Sequence, residues 1–399
     1  MRSTTFDAAL AIDESDAPFG LRWSPSEWES LSLDCAARTR YEVRFGESLA
    51  QSEALAAAVG DRKALLVTTP TVHRHHGAAI QSALRGTNTV ATLVLNAREE
   101  TKCVEQVEAI CAEALSRGIN RRGLLISFGG GVCSDLVTLA ASLIRRGIGH
   151  IRVPTTLIGQ IDAGIGLKGA VNFAGKKSFL GCFHPPEQVF IDPAFLRSLP
   201  RRFLVAGLAE VIKMGIVRDA RLFELVESRG LDLVMSGFDA PAAEGRELLQ
   251  RSIWAMLDEL RGNPYEDQGY ERLVDFGHTF SPALEAALGF EVQHGEAVAI
   301  DMALSSAIAK TLGWIDAGVW QRIVNTLRTV SLPVSSGRLD LQLCRNALVE
   351  ACRHRGGAIN LVIPAGIGRA TFLRKRSDVP DPVLEEALAL LAREATGNA

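Results

Sequence analysis

The stretch LLISFGGGVCSDLVTLAASLIRRG, residues 124–147, decides the fold. An apolar run typical of a strand ends in Gly129, Gly130 and Gly131, and a helical pattern begins at once. Glycine lets the backbone turn tightly and approach a ligand closely, and the N-terminus of the following helix favours the charge of a pyrophosphate. The turn lacks the G-x-G-x-x-G spacing of the dinucleotide-binding fingerprint. A nucleotide-binding turn and a purely structural turn therefore both remain open.

Strand and helix patterns alternate on both sides of this turn. Residues 63–69 and 89–95 form compact apolar runs typical of strands, and residues 99–117 place their apolar side chains on one helical stripe. A second strand-to-helix turn lies in HIRVPTTLIGQIDAG, where Thr155 and Thr156 follow the strand and can cap the next helix. Such alternation, with polar turns at the strand ends, is typical of an α/β nucleotide-binding domain.

The chain is long enough for two domains, because 399 residues rarely share one ordinary core. Residues 1–38 show little periodicity, and we predict that they form a leader. The alternating pattern then predicts an α/β domain at 39–195. Strand patterns largely stop after that point, so we predict a mainly α-helical domain at 196–399, with a final strand pair at 358–373.

Composition narrows the function. A hydrophobic content of 47% with 22% charged residues describes a globular protein. The net charge is −3 and no basic run is long enough to follow a phosphate backbone, which argues against nucleic acid as a partner. No apolar run reaches the ~18 residues of a membrane span, and the N-terminus lacks a signal-peptide pattern. We therefore expect a cytoplasmic protein without a membrane segment.

Two histidines in the second half lie in apolar surroundings. The stretch DFGHTFSPALEAALGFEVQHGEA contains His278 and His294, each beside a glycine. Their spacing is not the helical pair of a metalloprotease, and hydrogen-bonded structural histidines are the alternative. The predicted helix GLAEVIKMGIV places Glu210 three residues from Lys213 in an apolar segment, where a charged pair needs a further partner. A divalent metal bound by Glu210, His278 and His294 would supply it and leave a position open for water or substrate oxygens.

A second group of histidines lies near the start of another predicted helix. His73, His75 and His76 stand close together in the segment 72–84. Clustered histidines can bind a metal, but no acidic or thiol partner stands near them in the sequence. A solvated helix start is therefore the favoured interpretation.

The motifs, taken in order, are similar to those of a known family. GGGVCSD, RRG, VPTTLIGQIDAGIGLKGAVN, GLAEVIK, DFGHTFSP and QHGEAVAIDMAL follow one another within about residues 40–375. In this order they resemble dehydroquinate synthase and, more closely, its relatives the sedoheptulose 7-phosphate cyclases, which make valiolone-type C7 cyclitols. The resemblance implies an N-terminal NAD-binding α/β domain, a mainly α-helical C-terminal domain and an active site in the cleft between them.

The resemblance also implies a role for individual residues. The implied ligands of a zinc or cobalt ion are Glu210, His278 and His294. The implied NAD contacts are Gly129, Gly130, Gly131, Asp135, Thr155, Thr156, Glu99 and Lys102. The implied catalytic and substrate contacts are Asp162, Lys168, Lys177, Lys213 and Asp275. Arg146 matches an arginine that family dimers donate across the subunit interface, so a homodimer is expected.

The implied reaction converts sedoheptulose 7-phosphate into a valiolone-type cyclitol, either 2-epi-valiolone or 2-epi-5-epi-valiolone. NAD+ oxidises a secondary alcohol whose oxygens bind the metal, and the new ketone acidifies the adjacent C–H so that phosphate leaves by elimination. The NADH then returns its hydride, the ring opens, and an intramolecular aldol step closes a carbocycle. The enzyme would be a carbon–oxygen lyase that shows no net redox change.

Departures from the family pattern select the branch. Dehydroquinate synthases carry a second histidine where this chain has Pro282, an arginine for the substrate carboxylate where it has Glu271, and an asparagine where it has Asp275. These differences favour the cyclitol branch. Thr69 replaces the family's ribose-binding aspartate, which weakens discrimination against NADP. Gly262, followed by NPYE where 2-epi-5-epi-valiolone synthases read PNLWE, favours 2-epi-valiolone as the product.

Three other functions stay open. The first is 3-dehydroquinate synthase itself, and the second is an NAD- and metal-dependent polyol dehydrogenase, which would accumulate NADH. The third is a nucleotide-binding regulatory protein that has lost turnover. The intact set of predicted ligands and lysines argues against the third.

Overall fold

The computed structural model describes residues 22–24, 30–32, 39–46, 48–87, 90–267, 269 and 271–396. The first forty residues form a unit of their own, in which β1 (Arg22–Ser24) pairs antiparallel with β2 (Ser30–Ser32). The rest of the predicted leader up to residue 38 lies outside the described residues. Tyr41–Ala399 form the second unit, which contains the main sheet and the candidate site.

The first half of this second unit alternates strands with helices. Its strands are β3 (Glu42–Phe45), β4 (Ala64–Thr68), β5 (Val90–Val94), β6 (Leu124–Gly129), β7 (Gly149–Pro154), β8 (Lys168–Phe173), β9 (Lys176–Phe183) and β10 (Gln188–Ile191). Its helices are α1 (Ala54–Val59), α2 (Pro70–Ala83), α3 (Val104–Ser116) and α4 (Gly131–Leu143). The described residues form a six-stranded parallel sheet in the order β3-β10-β7-β6-β4-β5. Because helices cover a parallel sheet on both faces, β4 and β6 are buried along their whole length.

The glycine turn joins β6 to α4, as the sequence predicts. A Cβ atom on Gly129 would lie 2.9 Å from the Cβ of Cys133, and one on Gly130 would lie 3.0 Å from the Cγ2 of Thr156. The backbone N–H of Thr155 donates to the carbonyl of Gly129 at 2.9 Å. The turn therefore needs glycine, because the first turn of α4 crowds Gly129 and the residues after β7 crowd Gly130.

An antiparallel hairpin of β8 and β9 follows β7 and precedes β10 along the chain, forms a sheet of its own and was not expected from the sequence. It carries Lys168 at the first residue of β8 and Lys177 at the second residue of β9. The exposed side chains of Phe173 and Phe179 stack on it with ring centroids 6.3 Å apart. The two predicted site lysines therefore lie on a hairpin that is separate from the six-stranded sheet.

The second half is mainly helical, as predicted. Its helices are α5 (Arg201–Val217), α6 (Ala220–Met235), α7 (Ala242–Gly262), α8 (Ser281–Leu288), α9 (His294–Thr311), α10 (Ala317–Thr329), α11 (Leu341–His354) and α12 (Asp381–Thr396). The predicted strand pair is present as β11 (Leu361–Pro364) and β12 (Ala370–Leu373). The largest hydrophobic core surrounds α5 and α9, which are buried over most of their lengths. None of the described helices is long and apolar enough to cross a membrane.

The boundary between the two halves lies between the last strand of the sheet and the first helix of the helical half. β10 ends at Ile191 and α5 begins at Arg201. The domain boundary near residue 195 falls between them and stays a prediction.

Candidate metal and active site

Glu210, His278 and His294 come together from three separate segments. Glu210 lies in the buried helix α5, His278 follows the 3-10 turn Leu273–Asp275, and His294 is the first residue of α9. The Oε1 atom of Glu210 lies 3.8 Å from the Nε2 atom of His278 and 3.4 Å from the Nε2 atom of His294. One ligand atom from each residue lies within 4.8 Å of the other two. The fold therefore brings the three predicted metal ligands to one point.

The hydrogen bonds of the two histidines suit a divalent cation. The Nδ1–H of His278 donates to the carbonyl of Phe276 at 3.0 Å, and the Nδ1–H of His294 donates to Glu285 Oε1 at 2.8 Å. Both partners only accept, so the Nε2 of each ring is directed at Glu210 and can offer its lone pair to a metal ion when the ring is neutral, as in most metal-binding histidines. Neither carboxylate oxygen of Glu210 accepts a hydrogen bond of normal geometry from a described residue. Two imidazoles and one carboxylate are the donor set of many catalytic zinc sites, so the residues fit the ion.

The charges around Glu210 favour a cation at this point. The Nζ of Lys213 lies 2.5 Å from Glu210 Oε2 and 3.6 Å from Asp162 Oδ2. Burial alone would raise the pKa of the Glu210 carboxyl, but Lys213 and the two histidines hold it well below its usual range. Burial and the charge of Lys213 lower the pKa of His278 to about 4. Burial opposes a charge on His294 as well, yet the neighbouring carboxylates of Glu210 and Glu285 raise its pKa to about 9. The carboxylates thus stabilise positive charge here, whether a proton or a metal ion carries it.

Glu285 links the predicted metal ligands to the β8–β9 hairpin. One oxygen accepts the hydrogen bond from His294, and the other lies 2.7 Å from the Nζ of Lys177. Glu285 is not among the site residues predicted from the sequence. It lies on α8, seven residues after His278. Its contact with His294 can be recognised only from the tertiary structure, which places α8 beside the start of α9.

Asp301 fixes the loop that carries His278. It lies on α9 and is almost completely buried. Its Oδ2 accepts the backbone N–H groups of Thr279 at 2.8 Å, Phe280 at 2.5 Å and Ser281 at 2.8 Å, and its Oδ1 accepts the hydroxyl of Ser305 at 2.9 Å. Asp301 is also not among the predicted site residues, although a lone carboxylate inside the apolar run AVAIDMAL indicates a buried acceptor.

Replacing Asp301 with alanine should leave three buried N–H groups without an acceptor. We expect the free energy of unfolding to fall by about 3–5 kcal/mol, and zinc binding to weaken because the His278 loop loses its anchor. Urea denaturation and a zinc titration measure the two effects. Asp316→Ala is the matched control, because Asp316 caps α10 at the exposed surface through Val319 and should cost only about 1 kcal/mol. Equal losses in the two variants would contradict the anchoring role.

A cavity of about 1070 Å³ opens beside Glu210, His278 and His294, which we call the triad. Among its lining residues are the predicted site residues Asp135, Asp162, Lys168, Lys213, Asp275 and His278. The cavity is large enough for a sugar phosphate beside a nicotinamide ring. The fold therefore gathers residues predicted for cofactor, metal and substrate around one space.

Arg152 positions the turn that carries two of these residues. Its guanidinium is fully buried in β7 and donates to the carbonyls of Ala163 and Gly164, each at 3.2 Å, and of Lys168 at 3.1 Å. A further bond reaches the hydroxyl of Thr138 at 2.9 Å. These bonds hold the backbone that follows Asp162 and leads to Lys168.

Asp275 lies between two arginines that the sequence analysis did not single out. Its Oδ1 is 2.5 Å from Arg272 Nη2, and its Oδ2 is 3.6 Å from Arg355 Nη2. Glu271 instead forms an exposed pair with Arg374, with Oε2 3.0 Å from Nη2. Glu271, which stands where dehydroquinate synthases have the arginine for the substrate carboxylate, is thus paired with an exposed arginine. The cation next to it in the sequence, Arg272, pairs with Asp275 instead.

The predicted NAD contacts form two groups at the carboxyl edge of the sheet. The glycine turn and Thr155 meet where β6 and β7 end side by side. Lys102 is buried, with its Nζ 2.5 Å from Asp135 Oδ2, and Glu99 accepts hydrogen bonds from the amide of Asn172 through its carbonyl at 3.0 Å and its Oε1 at 3.2 Å. Ligands of open α/β sheets bind at this edge.

Two predicted or considered features lie away from the triad. Arg146 is exposed, has a φ of 68°, and is not among the residues that line the cavity, so its contribution to a partner's site stays a prediction. The His73 group is no metal site within the described residues. His76 instead contacts Ser198 Oγ at 2.6 Å and packs against Phe195 with ring centroids 5.0 Å apart.

Comparison with known proteins places this site in a family. The family model of the 3-dehydroquinate synthase N-terminal domain matches residues 92–206, and that of the C-terminal domain matches residues 207–354. A 2-epi-5-epi-valiolone synthase of Streptomyces glaucescens is 39% identical, over 94% of this chain and 96% of its own. A 3-dehydroquinate synthase of Shewanella sp. (strain MR-4) is 33% identical, over 90% of this chain and 99% of its own.

Solved structures agree with this placement. ValA, the 2-epi-5-epi-valiolone synthase of Streptomyces hygroscopicus subsp. jinggangensis 5008 with NAD+ and Zn2+ bound, has a TM-score of 0.86 and 39% identity, over 91% of this chain and 99% of its own. A 2-deoxy-scyllo-inosose synthase has a TM-score of 0.73 at 22% identity, over 87% of this chain and 96% of its own, and shares the fold. The predicted resemblance and fold class are confirmed. The chain belongs to the dehydroquinate synthase-like family of sugar phosphate cyclases, together with the 2-epi-5-epi-valiolone synthases.

Proposed function

We propose that this chain is a sedoheptulose 7-phosphate cyclase that forms a valiolone-type C7 cyclitol and releases phosphate. The observation that carries the proposal is the convergence of Glu210, His278 and His294 beside a cavity lined by Lys168 and Lys213. Relatives 37–40% identical over most of the chain are 2-epi-5-epi-valiolone synthases, which supports the same substrate class. The reaction would make the enzyme a phosphate-eliminating carbon–oxygen lyase.

The proposal includes NAD and a divalent metal. ValA was solved with NAD+ and Zn2+, and the 2-deoxy-scyllo-inosose synthase with NAD+ and Co2+. Glu210, His278 and His294 would hold the ion, and the glycine turn with Thr155 would hold NAD. When bound, the ion supplies positive charge that stabilises a deprotonated hydroxyl group, and NAD supplies a hydride acceptor.

The residues of the chain itself bind and orient the substrate. Lys213 is fully buried, and the carboxylates of Glu210 and Asp162 outweigh burial and raise its pKa, so its ammonium group can donate hydrogen bonds to substrate oxygens. Lys168 is half exposed on the cavity wall, where it can reach a phosphate dianion. The proposal further includes a homodimer in which Arg146 reaches the site of the partner.

Two observations bear on the epimer of the product. The 2-epi-5-epi-valiolone synthases among the relatives support 2-epi-5-epi-valiolone. The departure from the family pattern at residues 262–266 supports 2-epi-valiolone. NMR of the isolated product distinguishes them.

Incubation with sedoheptulose 7-phosphate, NAD+ and zinc or cobalt tests the proposal. We expect inorganic phosphate to be released without a lasting rise in NADH absorbance, because the hydride returns within each turnover. Steady accumulation of NADH would instead indicate a polyol dehydrogenase. Phosphate release from the heptulosonate phosphate substrate of dehydroquinate synthase, and not from sedoheptulose 7-phosphate, would overturn the proposal in favour of that enzyme.

A further inference from the structure

A single carboxylate joins two cations on the wall of the cavity. Glu266 lies in the segment between α7 and the 3-10 turn Leu273–Asp275. Its Oε1 atom pairs with both the Nζ of Lys168 and the Nη1 of Arg272, and all three residues line the cavity. Lys168 comes from the β8–β9 hairpin, so the two cations reach this point from distant parts of the chain. Cations that converge on one oxygen at a cavity wall are arranged like the donors of an anion site.

Arg272 would stay in place without Glu266. Its Nη2 atom lies 2.5 Å from Asp275 Oδ1, and its side chain is only 23% exposed. Asp275 is held in turn by Arg355, with Nη2 at 3.6 Å from Oδ2. The guanidinium is therefore preorganised, and its Nη1 edge faces the carboxylate of Glu266.

Glu266, in contrast, is held by a strained and local turn. Its φ is 57°, a left-handed conformation that a residue with a Cβ atom rarely adopts. Its N–H donates to the carbonyl of Asn263 at 3.2 Å, and the N–H of Asp267 donates to Asn263 Oδ1 at 3.0 Å. A phosphate dianion offers about twice the charge of a carboxylate and three acceptor oxygens. It can therefore compete with Glu266 for the same two cations.

We propose that Lys168 and Arg272 form an anion subsite for a phosphate monoester, and that Glu266 is the internal anion that the ligand displaces. The return of Glu266 to the two cations then promotes release of inorganic phosphate. That the anion is the phosphate of the cyclase substrate rests on the proposed function. The subsite itself rests on the contacts of these three side chains.

Calorimetric titration of the full chain with inorganic phosphate tests the subsite. Glu266→Gln removes the competing charge, so we expect it to bind phosphate roughly tenfold more tightly than the unchanged chain. Glu271→Gln is the matched control, since Glu271 also lines the cavity but pairs with the exposed Arg374, and its effect should stay below about twofold. A gain of less than about threefold in Glu266→Gln, or a loss, would overturn the proposal.

A second variant tests the role of Arg272. The double variant Glu266→Gln, Arg272→Gln should lose the whole gain in phosphate affinity. Retention of the gain would show that phosphate binds elsewhere and would overturn the assignment. The titration needs no turnover, so it is independent of the proposed function. If Glu266→Gln binds phosphate tightly but the unchanged chain releases no phosphate from sedoheptulose 7-phosphate, the proposed activity is rejected and the subsite is kept. If the unchanged chain releases phosphate but Glu266→Gln gains no phosphate affinity, the subsite is rejected and the activity is kept.

Discussion

His294→Ala is expected to abolish metal retention and phosphate release together. His294 is one of the three residues that could together bind a metal ion within the described part of the chain, and its Nε2 atom faces Glu210 Oε1 at 3.4 Å. Removing a ligand from such a set should weaken zinc binding by roughly a hundredfold to a thousandfold. The Glu210 carboxylate would then lose both the metal ion and the neighbouring imidazole. Metal analysis after dialysis and an assay of released phosphate measure the two effects.

The control for this prediction is His354→Ala. His354 lies at the end of α11, is largely exposed and has its Nε2 atom 3.6 Å from Glu350 Oε2, so its loss should change neither metal content nor activity. A His294→Ala variant that retains its metal and full activity would refute the ligand assignment. Loss of activity with full metal content would show that His294 acts on the substrate and not on the ion.

Gly295→Ala is expected to force α5 and α9 apart. A Cβ atom on Gly295 would lie 1.9 Å from the carbonyl oxygen of Ala206 and 2.6 Å from its carbonyl carbon. These are backbone atoms of a buried helix, so no side chain can rotate to make room. The free energy of unfolding should fall by about 2–4 kcal/mol. Because Glu210 lies on α5 and His294 lies on α9, zinc binding should weaken as well.

Urea denaturation and a zinc titration measure these effects. Gly318→Ala is the matched control, because Gly318 lies in the exposed first turn of α10 and a Cβ atom there would lie 3.3 Å from the Oδ1 of Asp316, the end of a side chain. Alanine there should be neutral or stabilise the chain by up to about 1 kcal/mol. A Gly295→Ala variant with the unfolding midpoint and zinc affinity of the unchanged chain would show that the two helices can separate at no cost.

The fold class could be predicted from local patterns. The strand, glycine turn and helix around Gly130 follow from residues next to one another in the sequence, and so do the buried strands β4 and β6. The hairpin of β8 and β9 could not be predicted in this way. Its β9 strand is exposed over most of its length, so it lacks the apolar alternation by which strands are recognised.

The candidate site was predictable only in part, for a similar reason. Glu210, His278 and His294 stood out because charged or polar groups in apolar runs need partners, and the ordered motifs named the partners. Glu285 and Asp301 are also carboxylates in apolar runs, but no motif names their partners. Each acts through contacts with a different segment, and the sequence does not show which segments meet.

Local sequence patterns were enough to predict the α/β and helical halves, the family and the three residues that fit a metal ion. Helix and strand periodicity, glycine turns and rare buried charges are local properties, so they can be read along the chain. Only the tertiary structure decided that Glu266 stands between Lys168 and Arg272, and that Glu271 faces Arg374 instead. Glu271 and Arg272 are adjacent in the sequence, yet Glu271 forms an exposed pair with Arg374. Arg272 is partly buried and pairs with Glu266 and Asp275. The direction of a side chain in an irregular loop depends on how distant segments pack around the loop. The same packing determines which opposite charge the side chain meets.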